Sequence, residues 1–166
     1  LEISTLKLKR VNKNENPDIT VSFKHSDDDE YLKDHKRILG YAYPPSHTKK
    51  GILVINDDYY WTLTGEPVPA WMIDPVHYSM DSEQKLKTWN LTSTLIHELG
   101  HTLGMPHIDD CPECIMYAKD NSNVDLNDRE IEIIRSKYGG TSKSDGDYKR
   151  WKEFLKVRIR RKLESE

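Results

Sequence analysis

The sequence predicts an α+β domain followed by a separate C-terminal helix, and three observations lead to this prediction. Apolar and polar residues alternate over residues 6–11 and 19–23, which is typical of half-buried strands in a sheet with one covered face. A helix over residues 94–103 would bring two histidines onto one face. Residues 126–139 carry the end signals of a second helix.

The two predicted helices have recognisable caps. Asn90 is the predicted N-cap of the helix that carries the histidines. In the closing helix, Asn127 is the predicted N-cap, and Glu130 stands three residues later at the capping-box position. Gly139 follows the last helical residue, as is common where helices end.

Composition and charge limit the classes of partner. The chain has 166 residues, of which 32% are charged, and a mean hydropathy of −0.80. We expect no transmembrane segment, because no apolar run approaches the roughly 18 residues of a membrane span. Residues 145–166 hold eight Lys/Arg and five Asp/Glu, so this end carries +3 and the remainder carries −6 of the net −3. We expect no nucleic-acid partner for the domain.

The run from His97 to His107 predicts a catalytic zinc site. His97 and His101 lie one turn apart on a helix, so both can reach one zinc ion at about 2.0–2.1 Å. Glu98 flanks the first ligand and is free for proton transfer. Gly104 can end the helix in a left-handed conformation, and the chain then returns so that His107 supplies a third nitrogen. Three protein ligands leave a fourth position for water, which is typical of a catalytic site.

This extended motif resembles that of the metzincins, zinc endopeptidases named for a turn whose methionine lies beneath the metal. Met116 is similar to that methionine, and the resemblance implies an apolar floor beneath the three imidazoles. Residues 18–23, 39–45 and 57–62 resemble successive strand signatures of the matrixins, the family of the matrix metalloproteinases. The resemblance covers about residues 5–140.

The resemblance implies a metzincin-like twisted mixed sheet with an active-site helix, a Met-turn and a closing helix. It also implies a zinc-dependent endopeptidase acting on a protein or peptide substrate. Glu98 would accept a proton from zinc-bound water, hydroxide would attack the peptide carbonyl, and the proton would pass to the leaving amine. In the family, one strand forms the upper edge of the cleft, to which substrate adds as an extra antiparallel strand. The residues matching that strand are Leu39, Gly40, Tyr41 and Ala42.

The resemblance further favours a secreted or extracellular protein, and we expect a monomer. Two alternatives remain at this point. One is a zinc aminopeptidase of the archaemetzincin type, although that relative adds a later cysteine pair and this chain has only Cys111 and Cys114. The other is a non-proteolytic zinc protein with a basic interaction helix.

The sequence departs from the matrixin pattern at the metal sites beside the catalytic one. Matrixin domains usually hold a structural zinc through three histidines and an aspartate, with calcium nearby. His25 and Asp27 match half of that zinc site, but the other two positions fall on Tyr41 and Val54, which cannot replace imidazoles. Two positions that commonly supply calcium carboxylates hold other residues, Asn56 and Tyr59. We therefore expect one catalytic zinc, with structural zinc and calcium doubtful, and the acidic run at residues 27–30 as an exposed loop.

Cys111 and Cys114 lie between the third predicted ligand and Met116. Their C-x-x-C spacing favours a structural role over a redox role. A local disulfide in an oxidising compartment and a pair of free thiols elsewhere both remain open.

Residues 141–166 form the predicted C-terminal extension, an amphipathic helix beginning near Asp147. Its apolar residues recur with a period close to 3.6: Tyr148, Trp151, Phe154, Leu155, Ile159 and Leu163. Matrixin domains usually place a strand and a long helix before the strand that matches residues 6–11. The C-terminal helix could pack on the sheet where that first helix would lie, or it could bind a membrane surface, nucleic acid or a partner.

Overall fold

The computed structural model describes residues 6, 8–12, 14–66 and 88–139, and it confirms the predicted α+β class. Its strands are β1 (Thr20–Lys24), β2 (Gly40–Ala42), β3 (Ile52–Asn56), β4 (Tyr60–Thr62) and β5 (Thr88–Asn90). Its α-helices are α1 (Glu30–Asp34), α2 (Leu91–Thr102) and α3 (Asp128–Tyr138), and a single 3-10 turn covers Ser26–Asp28. None of the helices in these ranges is long and apolar enough to cross a membrane.

β3 is the central strand of a mixed sheet with the order β1-β3-β2. It runs parallel to β1 and antiparallel to β2, which lies at the edge. Both faces of β3 are buried, because Leu53, Val54 and Ile55 are each at most 1% exposed. β4 and β5 form a separate parallel pair that leads directly into α2. β1 and β2 are therefore the edge strands of this sheet in the described residues, and the edge at β2 lies next to α2.

α2 begins at Leu91, directly after the predicted N-cap Asn90, whose side chain accepts a hydrogen bond from the Ser93 N–H at 3.0 Å. It ends at Thr102, and Gly104 then adopts the left-handed conformation (φ 78°) expected of a helix-terminating glycine. Leu91 packs with the buried residues of β3 in one apolar cluster. The helix is thus fixed against the sheet at its first turn.

α3 confirms the predicted capping box. The Asn127 side chain accepts from the Glu130 N–H, and the Glu130 side chain accepts from the Asn127 N–H, both at 3.0 Å. Tyr138 at the other end donates its hydroxyl to the Leu103 carbonyl at 3.0 Å. α3 therefore contacts the C-terminal end of α2. The second apolar cluster lies between them and contains Ile96, Met105, Ile108, Cys111, Cys114, Ile115, Met116 and Ile134.

Two predictions about the first strands are wrong in the described part of the chain. Residues 6 and 8–12 are not in a strand; Leu6 and Leu8 instead line a small apolar cavity with Leu99 of α2. Leu8 is nevertheless 38% exposed, so its side chain is only partly covered there. In β1, Val21 does not lie on a covered face as predicted but is 51% exposed. The predicted C-terminal helix and most of the long connection before β5 lie outside the described residues.

Candidate metal centre

Three imidazoles converge at one point beside α2. The Nε2 atoms of His97, His101 and His107 lie 3.1–3.3 Å from one another. Tetrahedral zinc with Zn–N bonds of 2.0–2.1 Å requires its nitrogen ligands to be about 3.3–3.4 Å apart. The donor set and its spacing therefore fit a zinc ion held by three neutral histidines. It is the one such group of three potential ligands in the described ranges.

The other ring nitrogens fix which atoms face the metal position. His97 Nδ1 donates to the Ile115 carbonyl at 2.7 Å, and His101 Nδ1 donates to the Met105 carbonyl at 2.9 Å. Since a carbonyl can only accept, each Nδ1 carries the proton and each Nε2 keeps its lone pair for a metal. Burial lowers the pKa of His97 to about 4 and also lowers that of His101. Both rings are therefore held in the neutral form that binds metal.

Glu98 is buried beside the metal position and is only 6% exposed. Its Oε2 has no hydrogen-bond partner among the described residues, so one carboxylate oxygen remains available for water or substrate. Burial raises the pKa of Glu98 to about 8, whereas a cation at the three imidazoles would act in the opposite direction. Gly40 of β2 provides the space for this side chain, because a β-carbon there would lie 3.3 Å from Glu98 Cγ and 2.8 Å from the Val54 carbonyl oxygen.

Met116 is fully buried beneath α2. It lies against Gly100, where even a β-carbon would overlap the methionine sulfur. The residue before it supplies the carbonyl that His97 uses, and the Met116 N–H donates to Glu130 Oε1 at 2.8 Å. The turn is thereby joined to α2 on one side and to α3 on the other.

A cleft of about 480 Å³ opens over the three imidazoles, within the range usual for ligand sites. His97, Glu98 and His101 of α2 form one wall. The opposite wall is the predicted substrate edge: Leu39, Gly40, Tyr41 and Ala42. Residues 117–121, directly after the Met-turn, line the remaining side. All the site residues predicted from the sequence except Met116 thus line one cleft, and Met116 is buried beneath α2.

Sequence comparison agrees with this geometry. The sequence profile of the matrixins matches residues 2–139. The chain belongs to the matrixin family. It is 41% identical to matrilysin of Felis catus over 59 residues (33% of this chain), 27% identical to stromelysin-2 of Rattus norvegicus over 151 residues (87%), and 31% identical to metalloendoproteinase 1 of Glycine max over 105 residues (61%). These alignments cover 22%, 27% and 29% of the three relatives' own lengths, so the chain matches about a quarter of each.

In this matrixin, the half-matched second zinc site is not assembled. His25 Nδ1 lies 3.1 Å from an Asp58 carboxylate oxygen, while the Asp27 side chain is 84% exposed. Val54, at another of the four positions, is completely buried in β3. The two residues at the calcium positions are engaged within the protein: Asn56 donates to the Ile38 carbonyl and Tyr59 donates to the Lys36 carbonyl.

Asp29 is the common hydrogen-bond acceptor between β1, α1 and β2, and sequence reasoning did not predict this role. Instead of lying in an exposed loop as predicted for residues 27–30, Asp29 is 7% exposed. Its carboxylate accepts from Lys24 Nζ and from the Tyr41 hydroxyl, both at 2.9 Å, and it caps α1 through two backbone N–H groups, those of Tyr31 and Leu32. Burial opposes ionisation, but the hydrogen bonds outweigh it and hold the Asp29 pKa below its usual value. An N-cap signal before residues 30–34 could have revealed its role.

Tyr41 completes the link between α1 and the edge of the cleft. Burial, followed by the Asp29 carboxylate, raises the pKa of its phenol, which therefore stays protonated and donates. Its ring contacts Tyr31, with centroids 4.7 Å apart, and Tyr31 stacks on His35 at 4.2 Å. A residue at a family zinc position thus contributes a hydrogen bond and aromatic contacts instead of a metal bond.

Cys111 and Cys114 form a disulfide, which answers the question left open by the sequence. Both half-cystines are buried, and their sulfurs accept from the Asn127 side-chain amide, with N–S distances of 3.2 and 2.8 Å. The bridge therefore lies between the Met-turn and the N-terminus of α3.

Proposed function

We propose that this matrixin is a zinc-dependent endopeptidase. His97, His101 and His107 are the zinc ligands, and Glu98 is the general base. The observation that carries the proposal is the convergence of three Nε2 lone pairs, 3.1–3.3 Å apart, with a buried carboxylate in the same cleft. The names of the relatives, which include a metalloendoproteinase, support peptide hydrolysis.

A bound zinc ion would supply the Lewis acidity that activates water and polarises the scissile carbonyl. The protein residues supply the rest. Glu98 takes the proton of the attacking water on its unpartnered Oε2 and later delivers it to the leaving amine. Its burial keeps the carboxylate away from bulk solvent, which strengthens its interaction with nearby charge.

The edge of β2 is the proposed substrate-binding strand. β2 pairs with β3 on one side, and its other edge lines the cleft. An extended peptide placed there could form main-chain hydrogen bonds to Leu39, Gly40, Tyr41 and Ala42, with the scissile bond above the imidazoles. Binding by strand addition depends mainly on the main chain of the substrate and does not require a free terminus. It therefore suits a protease that cleaves within a polypeptide.

The chemistry around the cleft also suggests the setting in which the protein acts. A buried disulfide next to the metal centre is typical of an oxidising compartment, which agrees with the secreted or extracellular location implied by the family. We further propose that one zinc ion is bound per chain and that the domain acts as a monomer.

Replacement of Glu98 by Gln tests the mechanism. Gln keeps the size of the side chain but cannot accept a proton, so zinc content should be unchanged while cleavage of N-blocked peptides falls by about 10²–10⁴-fold. Glu132→Gln is the matched control, because Glu132 lies exposed on α3 and should retain full activity. Turnover that survives the Glu98 change would overturn the assigned base.

The same peptides separate the alternatives. Cleavage confined to peptides with a free N-terminus would indicate an aminopeptidase of the archaemetzincin type. Zinc binding without cleavage of any peptide in a diverse library would indicate a non-proteolytic zinc protein.

A further inference from the structure

The Cys111–Cys114 disulfide lies in the segment that connects the third imidazole to the Met-turn. Cys111 follows His107 by four residues, and Cys114 is followed directly by Ile115 and Met116. Both half-cystines belong to the apolar cluster beneath α2. The bridge therefore closes a short loop within the wall of the metal centre.

Three hydrogen bonds made by main-chain groups connect this loop to the segments that carry His97 and His107. Ile115, adjacent to Cys114, supplies the carbonyl that accepts from His97 Nδ1 at 2.7 Å. Ile108, adjacent to His107, donates its N–H to the Met116 carbonyl at 2.9 Å, while its own carbonyl accepts from the Cys111 N–H at 3.2 Å. Displacement of the loop would thus change the orientation of two of the three rings.

The other side of the bridge is attached to α3. The Asn127 amide donates to both sulfurs, and its carbonyl oxygen caps α3. Glu130, in the same capping box, accepts from the Met116 N–H. With the bridge intact, α3 and the loop form one unit that holds the Ile115 carbonyl against His97.

From this geometry we propose that the Cys111–Cys114 disulfide is a positioning element of the metal centre, needed for tight zinc binding. Groups that orient metal-ligating histidines typically change metal affinity about 10–100-fold when they are removed. Opening the bridge separates the two sulfurs and frees the loop that presents the Ile115 carbonyl. The inference rests on the proposed zinc site.

The test compares the zinc dissociation constant of the oxidised chain with that of the chain reduced by a water-soluble phosphine. Reduction breaks the S–S bond and adds two electrons and two protons to give two thiols, while phosphine and water yield the phosphine oxide. We expect the zinc dissociation constant, measured against a competing chelator, to rise about 10–100-fold. The absorption spectrum of the cobalt-substituted protein should change as well, because it reports ligand geometry.

The double variant Cys111→Ser/Cys114→Ser removes the thiols as rival ligands. It should show the same weakened affinity, and the phosphine should have no further effect on it. If the variant does not fold, as judged by circular dichroism, the reduced wild-type chain carries the test. An unchanged dissociation constant and cobalt spectrum after verified reduction would overturn the positioning role and leave the proposed function intact. An oxidised chain that binds no zinc would overturn the proposed function, and the inference with it.

Discussion

Gly100 of α2 lies directly against Met116, so closely that a β-carbon at Gly100 would overlap the methionine sulfur. A glycine within a helix costs about 0.5–1 kcal/mol relative to alanine. The close packing of helix and turn explains why that cost is accepted here. The contact fixes the depth of the Met-turn beneath the helix that carries two of the imidazoles.

Gly100→Ala should therefore destabilise the protein by about 1–3 kcal/mol, as overpacking of a core does, even though alanine favours helix formation. The measurement is chemical unfolding of the metal-free protein. Met116→Ala should also be destabilising because it leaves a cavity, but the double variant should cost less than the sum of the two single changes. Strict additivity would show that the two residues do not interact.

Gly40→Ala should reduce kcat/KM by about 10–100-fold, because displacement of a general base by a fraction of an ångström is costly for catalysis. The new β-carbon would lie 2.8 Å from the Val54 carbonyl oxygen and 3.3 Å from Glu98 Cγ, so β2 or Glu98 must move. Zinc content should not change, since no ligand is touched. Activity equal to that of the wild type would show that the close approach of β2 to Glu98 does not matter.

Asp29→Asn should lower the free energy of unfolding by about 1–3 kcal/mol at neutral pH, because a buried charged acceptor for Lys24 and Tyr41 is lost. The Asp29 pKa is lower in the folded state than in the unfolded state. Its carboxylate therefore stabilises the fold above about pH 4, and this contribution is lost as the pH falls through the folded-state pKa. The difference in unfolding temperature between wild type and variant should therefore shrink as the pH falls below about 4 and Asp29 becomes protonated.

A control for Asp29 is Asp110→Asn, because Asp110 pairs with Arg129 on the surface and its side chain is 72% exposed. Exposed ion pairs contribute little, so this variant should unfold like the wild type at neutral pH. A larger loss from Asp110→Asn than from Asp29→Asn would contradict the role assigned to the Asp29 network.

His101→Ala should abolish tight zinc binding, whereas His25→Ala should leave the zinc content at one ion per chain. His101 contributes one of three converging Nε2 atoms, while His25 faces Asp58. Elemental analysis after dialysis against a weak chelator measures the stoichiometry of both variants. Two ions per wild-type chain, falling to one in His25→Ala, would show that a second site exists.

The sequence predicted the parts of the site that depend on local spacing. His97, Glu98 and His101 take their places from the helical repeat, and Gly104 and the capping box of α3 follow equally local rules. Three ligands at fixed spacing leave few geometries for a metal, which is why the imidazoles could be placed without coordinates.

The parts that sequence reasoning missed depend on contacts between distant segments. Nothing near Glu130 in sequence indicates that its carboxylate accepts from the Met116 N–H, and nothing near His25 indicates Asp58 as its partner. The N-terminal prediction failed for a related reason. The alternation around Leu6 and Leu8 fits a strand, but in the structure both residues line a cavity that Leu99 of α2 also lines.

The Asp29 network has a consequence for the conditions in which the protein can work. The cleft wall formed by β2 is attached to α1 through Tyr41, Asp29 and Lys24, all of them groups of the polypeptide itself. The contacts from Lys24 and Tyr41 both end on the ionised carboxylate of Asp29. Acid strong enough to protonate Asp29 would therefore loosen the attachment of the β2 edge to α1.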